Sequence, residues 1–177
     1  FCTLLRRRRN MIKSVLIINT AGKIRLLNCY ENQIPLSTQQ ELVAKVFRAI
    51  SKRGDDLCNF VDNFTEWPTP DTRIIYRRYA TLCFVFIVDS SESQLAILDL
   101  IQVFVETLDR TFENVCELDL IFHSDKVQHA LMEMVMGGMV VETSRDDIIR
   151  SLGEMSKISS SKGNASSPIT ASGYHRQ

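Results

Sequence analysis

The sequence has little of what most specialised chemistries require. Its seven glycines, at 22, 54, 137, 138, 153, 163 and 173, build neither G-x-G-x-x-G nor a P-loop, so the phosphate cradles of the nucleotide motifs are missing. Of the three histidines, His175 lies near the C-terminus, and His123 and His129 are six apart, on different faces of any helix that carried both. The five cysteines, at 2, 29, 58, 83 and 116, include no C-x-x-C pair. That scatter excludes a disulfide framework or a zinc site and fits a reduced cytosolic protein. Lys plus Arg equals Asp plus Glu at 21 each, which leaves no basic surplus to displace counterions from phosphates and gives no argument for nucleic acid. No apolar run approaches the roughly 20 residues that span a bilayer. If the protein works at a membrane, something else holds it there.

What remains is 177 residues, 45% apolar and 24% charged, the profile of one ordinary globular domain. Residues 1–10, FCTLLRRRRN, precede Met11 and are read as a non-native or upstream leader. The apolar SVLII that follows the arginines is too short for a secretion signal. From Met11, MIKSVLIIN and IRLLNCY read as strands joined by a turn at TAGK. Ser37 to Gln40 has the capping-box spacing, and Leu42, Val43, Val46, Phe47 and Ile50 recur at helical intervals, ending near Gly54. NFVDNFTEWPTPDT, with Pro68 and Pro70, reads as an exposed loop.

RIIYRRYATLCFVFIVDS then supplies two strands. In the second, Leu82, Phe84, Phe86 and Val88 alternate with Cys83, Val85 and Ile87, and both sets are apolar. A strand greasy on both faces belongs in the middle of a sheet covered by helices on both sides. Ser91 to Gln94 repeats the capping-box spacing ahead of a long helix marked by Leu98, Ile101, Phe104 or Val105, Leu108 and Phe112. FENVCELDLIF, residues 112–122, reads as a short strand, and Ser124 as the N-cap of a helix closed by Gly137 and Gly138. SRDDIIRSL fits a short last helix, and from Gly153 the composition turns to Ser, Gly, Lys and Asn. The expected organisation is one domain over 11–152 and a disordered tail over 153–177. The expected fold is α/β in the broad sense (α+β), a five-stranded, mainly antiparallel sheet flanked by helices on both faces.

Few residues invite chemistry. Glu117 and Asp119, two apart on a strand, would share a face, and paired carboxylates can serve acid–base work or a metal. The plainer reading is a structural or solvated face of a partly covered strand, or charges at a protein interface. YRRY, residues 76–79, interleaves arginine with aromatics, which suits stacked bases or, more simply, ion pairs to a protein partner. The methionines of MEMVMGGM fit core filling or an adaptable partner groove.

Taken in order, MIKSVLIINTAGKIRL, IIYRRYATLCFVF, VDSSESQLAILDLIQVFVETLD, FENVCELDLIFHSDKV and EMVMGGMVVET resemble the small (sigma) chain of the heterotetrameric clathrin-associated adaptor complexes. VDSSES, LDLIQVFVETLD and EMVMGGMV are most like the sigma chain of the third such complex. The resemblance runs from Met11 to about Arg150. It implies a longin-like fold and a non-enzymatic role in vesicle-mediated protein transport, with no cofactor. It implies as partners two large subunits, delta-like and beta-like, and a medium (mu) subunit. Membrane association would be indirect, through the complex, on the cytosolic face of Golgi and endosomal membranes and coated vesicles.

With its large partner such a chain recognises acidic dileucine sorting signals in the cytosolic tails of membrane cargo. Matched position by position, Arg25 in AGKIRL would face the signal's acidic residue. Ala80 and Leu82 in YRRYATL, Val105 in QVFVETL, and Asn114, Val115, Leu118 and Leu120 in FENVCELDL would line the leucine pocket. The loop FTEWPTPDT and the arginine-rich leader depart from the family pattern. A longin-type subunit of another coat, coatomer zeta-like and without a cargo pocket, is the alternative; an enzyme is the third reading, disfavoured by the lack of a polar constellation.

Overall fold

The computed structural model describes residues 12–31, 34–54 and 58–162, with the side chains at 156 and 158–162 excepted. The expected leader, residues 1–10, and the part of the expected tail from 163 onward lie outside the described residues. Two strands define the centre because neither has a polar face to offer water: β1 (Ile12–Asn19) and β5 (Leu82–Asp89) are buried along their whole lengths. β2 (Ile24–Cys29) pairs outside β1. β4 (Thr72–Tyr79) and then β3 (Phe60–Val61) pair outside β5. The resulting sheet has the order β2-β1-β5-β4-β3 and is antiparallel throughout.

The alternation read from the sequence sorts the core into two layers. Leu82, Phe84, Phe86 and Val88 pack with Val15 and Ile17 under α2 (Gln94–Phe112), α4 (Ser124–Met134) and α5 (Arg145–Lys162). Cys83, Val85 and Ile87 pack with Leu16 and Ile18 under α1 (Leu36–Ser51), which buries Leu42, Val43, Val46 and Ile50. Phe84 and Phe104 meet edge to face at 5.8 Å and lock α2 to the sheet. Each such fully buried side chain contributes about 1.5–3 kcal/mol over its exposed state.

Several elements differ from the sequence reading. The fifth strand is β3, inside the segment taken for a loop, and not the stretch 112–122. That stretch holds the last residue of α2, its exit and the helix α3 (Glu117–Phe122). α2 is stopped by Glu113 and Asn114, both in the left-handed region at φ 52° and 83°. The chain then extends through Cys116, whose N–H donates to Asp119 Oδ2 at 2.9 Å and starts a new helical turn. Glu117 and Asp119, two apart on a helix, therefore diverge instead of sharing a face. The loop between β3 and β4 is tied down as well, since Phe64 and Trp67 are buried in the α1 layer. Trp67 Nε1 donates to Glu31 Oε2 at 2.8 Å, and Lys13 Nζ donates to Pro70 O at 2.9 Å.

The caps also shift. Extended Pro35 precedes α1, and Ser37 lies inside the first turn. Ser93, not Ser91, caps α2, its Oγ accepting from Ala96 N, while Ser91 bonds the Asp89 carboxylate. His123 occupies the N-cap position of α4 ahead of Ser124. α4 ends at Met134, and Gly137 and Gly138 (φ 58° and 80°) instead form the two-residue turn between β6 (Val135–Met136) and β7 (Met139–Val140). Gly138 O accepts from Ile12 N at 2.9 Å, fixing this hairpin to the start of β1. α5 runs to Lys162, past the boundary drawn at Gly153, and buries Ile148 against α2 and α4.

Candidate functional site

Three turns converge at one end of the sheet. The β1–β2 turn is organised by Asn19, whose Oδ1 accepts from Ala21 N at 3.0 Å and Lys23 N at 2.8 Å. Gly22 takes φ +77° there, and a Cβ on it would lie 2.9 Å from the Phe47 ring. The β4–β5 turn, Ala80 and Thr81, holds Ala80 at φ 50° and is linked to the first turn by Thr20 N donating to Thr81 O. The third is the left-handed exit from α2. Between the second and third turns lies a groove of about 510 Å³, within the range that binds small side chains and ligands.

The groove has an apolar floor and a charged rim. Ala80, Leu82, Phe84, Val105 and Val115 supply the floor. One stripe of α2, Gln102, Val105, Glu106 and Asp109, runs along it at the i, i+3, i+4, i+7 spacing that shares a helix face. Gln102 accepts from Tyr79 Oη at 2.6 Å and donates to Glu106 Oε1 at 2.6 Å; Arg145 donates to Glu106 Oε2 at 2.8 Å. These bonds, that from Gln102 foremost, lower the Glu106 carboxyl pKa, while burial raises that of the Tyr79 phenol.

The eight residues expected to bind a leucine pair and its acidic neighbour fall into groups. Ala80, Leu82, Val105 and Val115 line the groove. Asn114 sits at the α2 exit beside Val115, and Leu120 is 1% exposed, in the core behind the wall. Leu118 faces outward, 59% exposed, on a surface of α3 that also shows Ile121 and Phe122. Arg25 does not stand open. Its Nε donates to Glu117 Oε1 at 2.8 Å, and Asn19 Nδ2 donates to the same oxygen at 2.9 Å. Hydrogen bonding by Arg25, then by Asn19, holds the Glu117 carboxyl below its ordinary pKa.

Glu117, Gln102, Glu106 and Phe84 were not among the expected site residues. The stripe on α2 had a readable signal in its helical spacing. Glu117 had none, because its partners come from β1 and β2, far away in the chain. The remaining candidates go elsewhere. Arg77 and Arg78 of YRRY are spent on Gln102 and on the α1 carbonyl of Ile50, and each guanidinium lies over a neighbouring tyrosine ring. Of the methionines, Met134 is buried while Met132, Met136 and Met139 are exposed. His123 packs on the Phe112 ring. Among the described residues, no group of three or more His, Cys, Asp or Glu is arranged to hold a metal ion, and no helix is long and apolar enough to cross a membrane.

This sheet and its flanking helices recur in known proteins. AP-3 complex subunit sigma-2 of Homo sapiens is 51% identical over 156 residues, covering 88% of this chain and 80% of that protein. AP-3 complex subunit sigma of Dictyostelium discoideum is 57% identical over 136 residues (76% and 79%), and that of Arabidopsis thaliana 44% over 165 residues (93% and 98%). One chain of a homology model of the full-length AP-3 complex in a stretched open conformation superposes with a TM-score of 0.67 at 42% identity, covering 86% of this chain and 98% of that one. The longin-like fold expected from the sequence is the one observed, and the family has an adaptor role, not a catalytic one. With residues 11–159 matched by the family model for the clathrin adaptor complex small chain, the chain belongs to that family.

Proposed function

We propose that this chain serves as the sigma subunit of an AP-3-type complex and that its groove receives the leucine pair of acidic dileucine signals on membrane cargo. Its partners in this reading are two large subunits, delta-like and beta-like, and a medium subunit. The complex acts on the cytosolic face of Golgi and endosomal membranes, in transport toward lysosomes and related organelles, and holds the chain at the membrane. The observation that carries the cargo reading is the composition of the groove. Five apolar side chains, Ala80, Leu82, Phe84, Val105 and Val115, form a floor large enough for aliphatic side chains, with Arg25 near its rim beside Glu117.

The physics favours such a ligand. Burying a leucine side chain contributes about 1.5–3 kcal/mol, so two adjacent leucines supply most of the affinity of a short peptide. A nearby guanidinium adds selectivity for an acidic residue more than strength. In this arrangement Asn114 and Leu120 set the position of the wall, and Leu118 extends the apolar surface over α3.

The test is peptide binding by the assembled pair of this chain and its large partner. Val105→Asp places a charge on the groove floor and should abolish binding of a leucine-pair peptide while the pair stays assembled. Leu118→Ser should weaken binding about tenfold, the loss of one partly buried leucine contact. Unchanged affinity in both variants would remove the cargo site. Purification of the tagged chain should bring down two large chains and one medium chain.

A further inference from the structure

The cation expected to select the acidic residue of a ligand is already engaged. Arg25 Nε and Nη2 both turn to Glu117 Oε1, and Asn19 brings a third donor to that oxygen. No described residue accepts from Arg25 Nη1. Both partners keep a wet face, the side chain of Arg25 being 18% exposed and that of Glu117 27%. Glu117 also lines the groove. Any acidic group that reaches Arg25 therefore comes up beside a second carboxylate.

We propose that Glu117 is a specificity-determining residue of the groove: it occupies Arg25 in place of the ligand's carboxylate and so weakens discrimination between acidic and neutral leucine-pair peptides. This rests on the reading of the groove as a dileucine site. The incoming carboxylate has two courses, to displace Glu117 from Nε and Nη2 or to share the guanidinium through Nη1. Both cost the ligand part of the attraction that an unpaired arginine would offer, because two anions then crowd one cation. Glu117 is held in the charged state by its donors, so this competition is present at neutral pH. A neutral ligand residue meets no such competition. Affinity for the leucine pair itself comes from the floor and is unaffected.

The experiment uses the assembled pair with its large partner and two labelled peptides. One carries a glutamate four residues before a leucine pair, the other a glutamine there. Glu117→Gln keeps the shape and an oxygen acceptor for Arg25 and Asn19 but removes the charge. The ratio of the two affinities should rise about fivefold in favour of the acidic peptide, the effect of one like charge roughly 4 Å away under water-like screening. The change should fall mainly on the acidic peptide. In an Arg25→Gln background, where no guanidinium draws the ligand's carboxylate up to Glu117, the same substitution should raise the ratio by a smaller factor. Should Glu117→Gln not assemble, Glu117→Asp, which withdraws the charge by one methylene, should raise the ratio by a smaller factor.

A ratio that stays constant or falls on Glu117→Gln overturns the proposal; a fall would mean that Glu117 serves to aim Arg25. A wild-type pair that binds a leucine pair no better than a serine pair overturns the dileucine reading, and this inference with it. Leucine-dependent binding with an unmoved ratio overturns the role of Glu117 alone.

Discussion

Arg25 on β2 and Glu117 at the first turn of α3 are 92 positions apart in the chain and joined by a charged hydrogen bond of 2.8 Å. The bond closes one corner of the groove by tying α3 to the edge of the sheet. The pKa of Glu117 is lowered from the usual 4.5, chiefly by Arg25. A carboxyl lowered on folding stabilises the folded chain above its ordinary value, and that contribution is lost as pH falls through the lowered one. Arg25→Gln removes the largest cause. Its urea midpoint should therefore vary less than that of the wild type as pH falls from neutrality through and below 4.5. Glu106 and Asp119 are lowered too, but they titrate in both proteins and cancel in the difference. Parallel curves would show that the pair adds nothing to folding.

α3 has six residues, too few to persist on helical propensity alone. Its start depends on Asp119, which accepts from Cys116 N and whose pKa is lowered chiefly by that bond. Asp119→Ala should speed amide exchange across residues 117–122 while leaving β1 and β5 amides as slow as before. Asp119→Asn, which keeps an oxygen acceptor, should fall between. Equal exchange in all three proteins would mean that packing of Leu120 alone holds the helix.

The central layers were legible because burial on both faces leaves a strong imprint. LCFVFIV can only be a covered strand, and the α1 and α2 stripes have a clear helical period. The stretch 112–122 misled because Cys116, Leu118, Leu120 and Phe122 alternate with polar residues as they would on a strand. Six residues are too few to separate that alternation from a single helical turn and a half. The deciding feature was a carboxylate three positions after an unusual N-cap residue, Cys116. Likewise, a two-residue strand such as β3 carries no periodicity at all. Four groove residues, Ala80, Leu82, Val105 and Val115, were reachable through the family resemblance. The pairing of Arg25 with Glu117 was not, since contacts between distant positions leave no local pattern.

Trp67 is buried at 6% exposure in a loop rich in proline and polar residues, packed in the α1 layer with its indole N–H donating to Glu31. Glu31 takes hydrogen bonds from Trp67 Nε1 at 2.8 Å and from Thr69 Oγ1 at 3.0 Å. Glu31→Ala leaves a buried indole N–H without its partner, a loss of about 1–3 kcal/mol. Glu31→Gln retains one acceptor and should lose less. Because Trp67 is the single tryptophan, its emission reports the site directly. A red shift in the alanine variant before global unfolding would mark release of the loop; an unchanged stability would show that the loop is held by Lys13 and Phe64 instead.

Two glycines give opposite expectations for the same substitution. Gly22 sits at φ +77°, where an alanine costs about 1–2 kcal/mol from its own backbone. A Cβ there would also press on the Phe47 ring at 2.9 Å, so the ring, α1 or the β1–β2 turn must move. Gly22→Ala should thus destabilise the chain by at least the backbone cost, and Phe47→Leu in the same chain should recover only the steric part. Gly153 lies within α5, with nothing within 4 Å of a Cβ built on it. There alanine should stabilise by about 0.5–1 kcal/mol, because glycine in a helix surrenders more backbone freedom on folding. Thermal unfolding of the two variants against the wild type reads both signs. A Gly153→Ala variant without any gain would mean that the second half of α5 adds nothing to the stability of the folded domain, whereas a gain would make the helix, past the compositional change at Gly153, part of the cooperative unit.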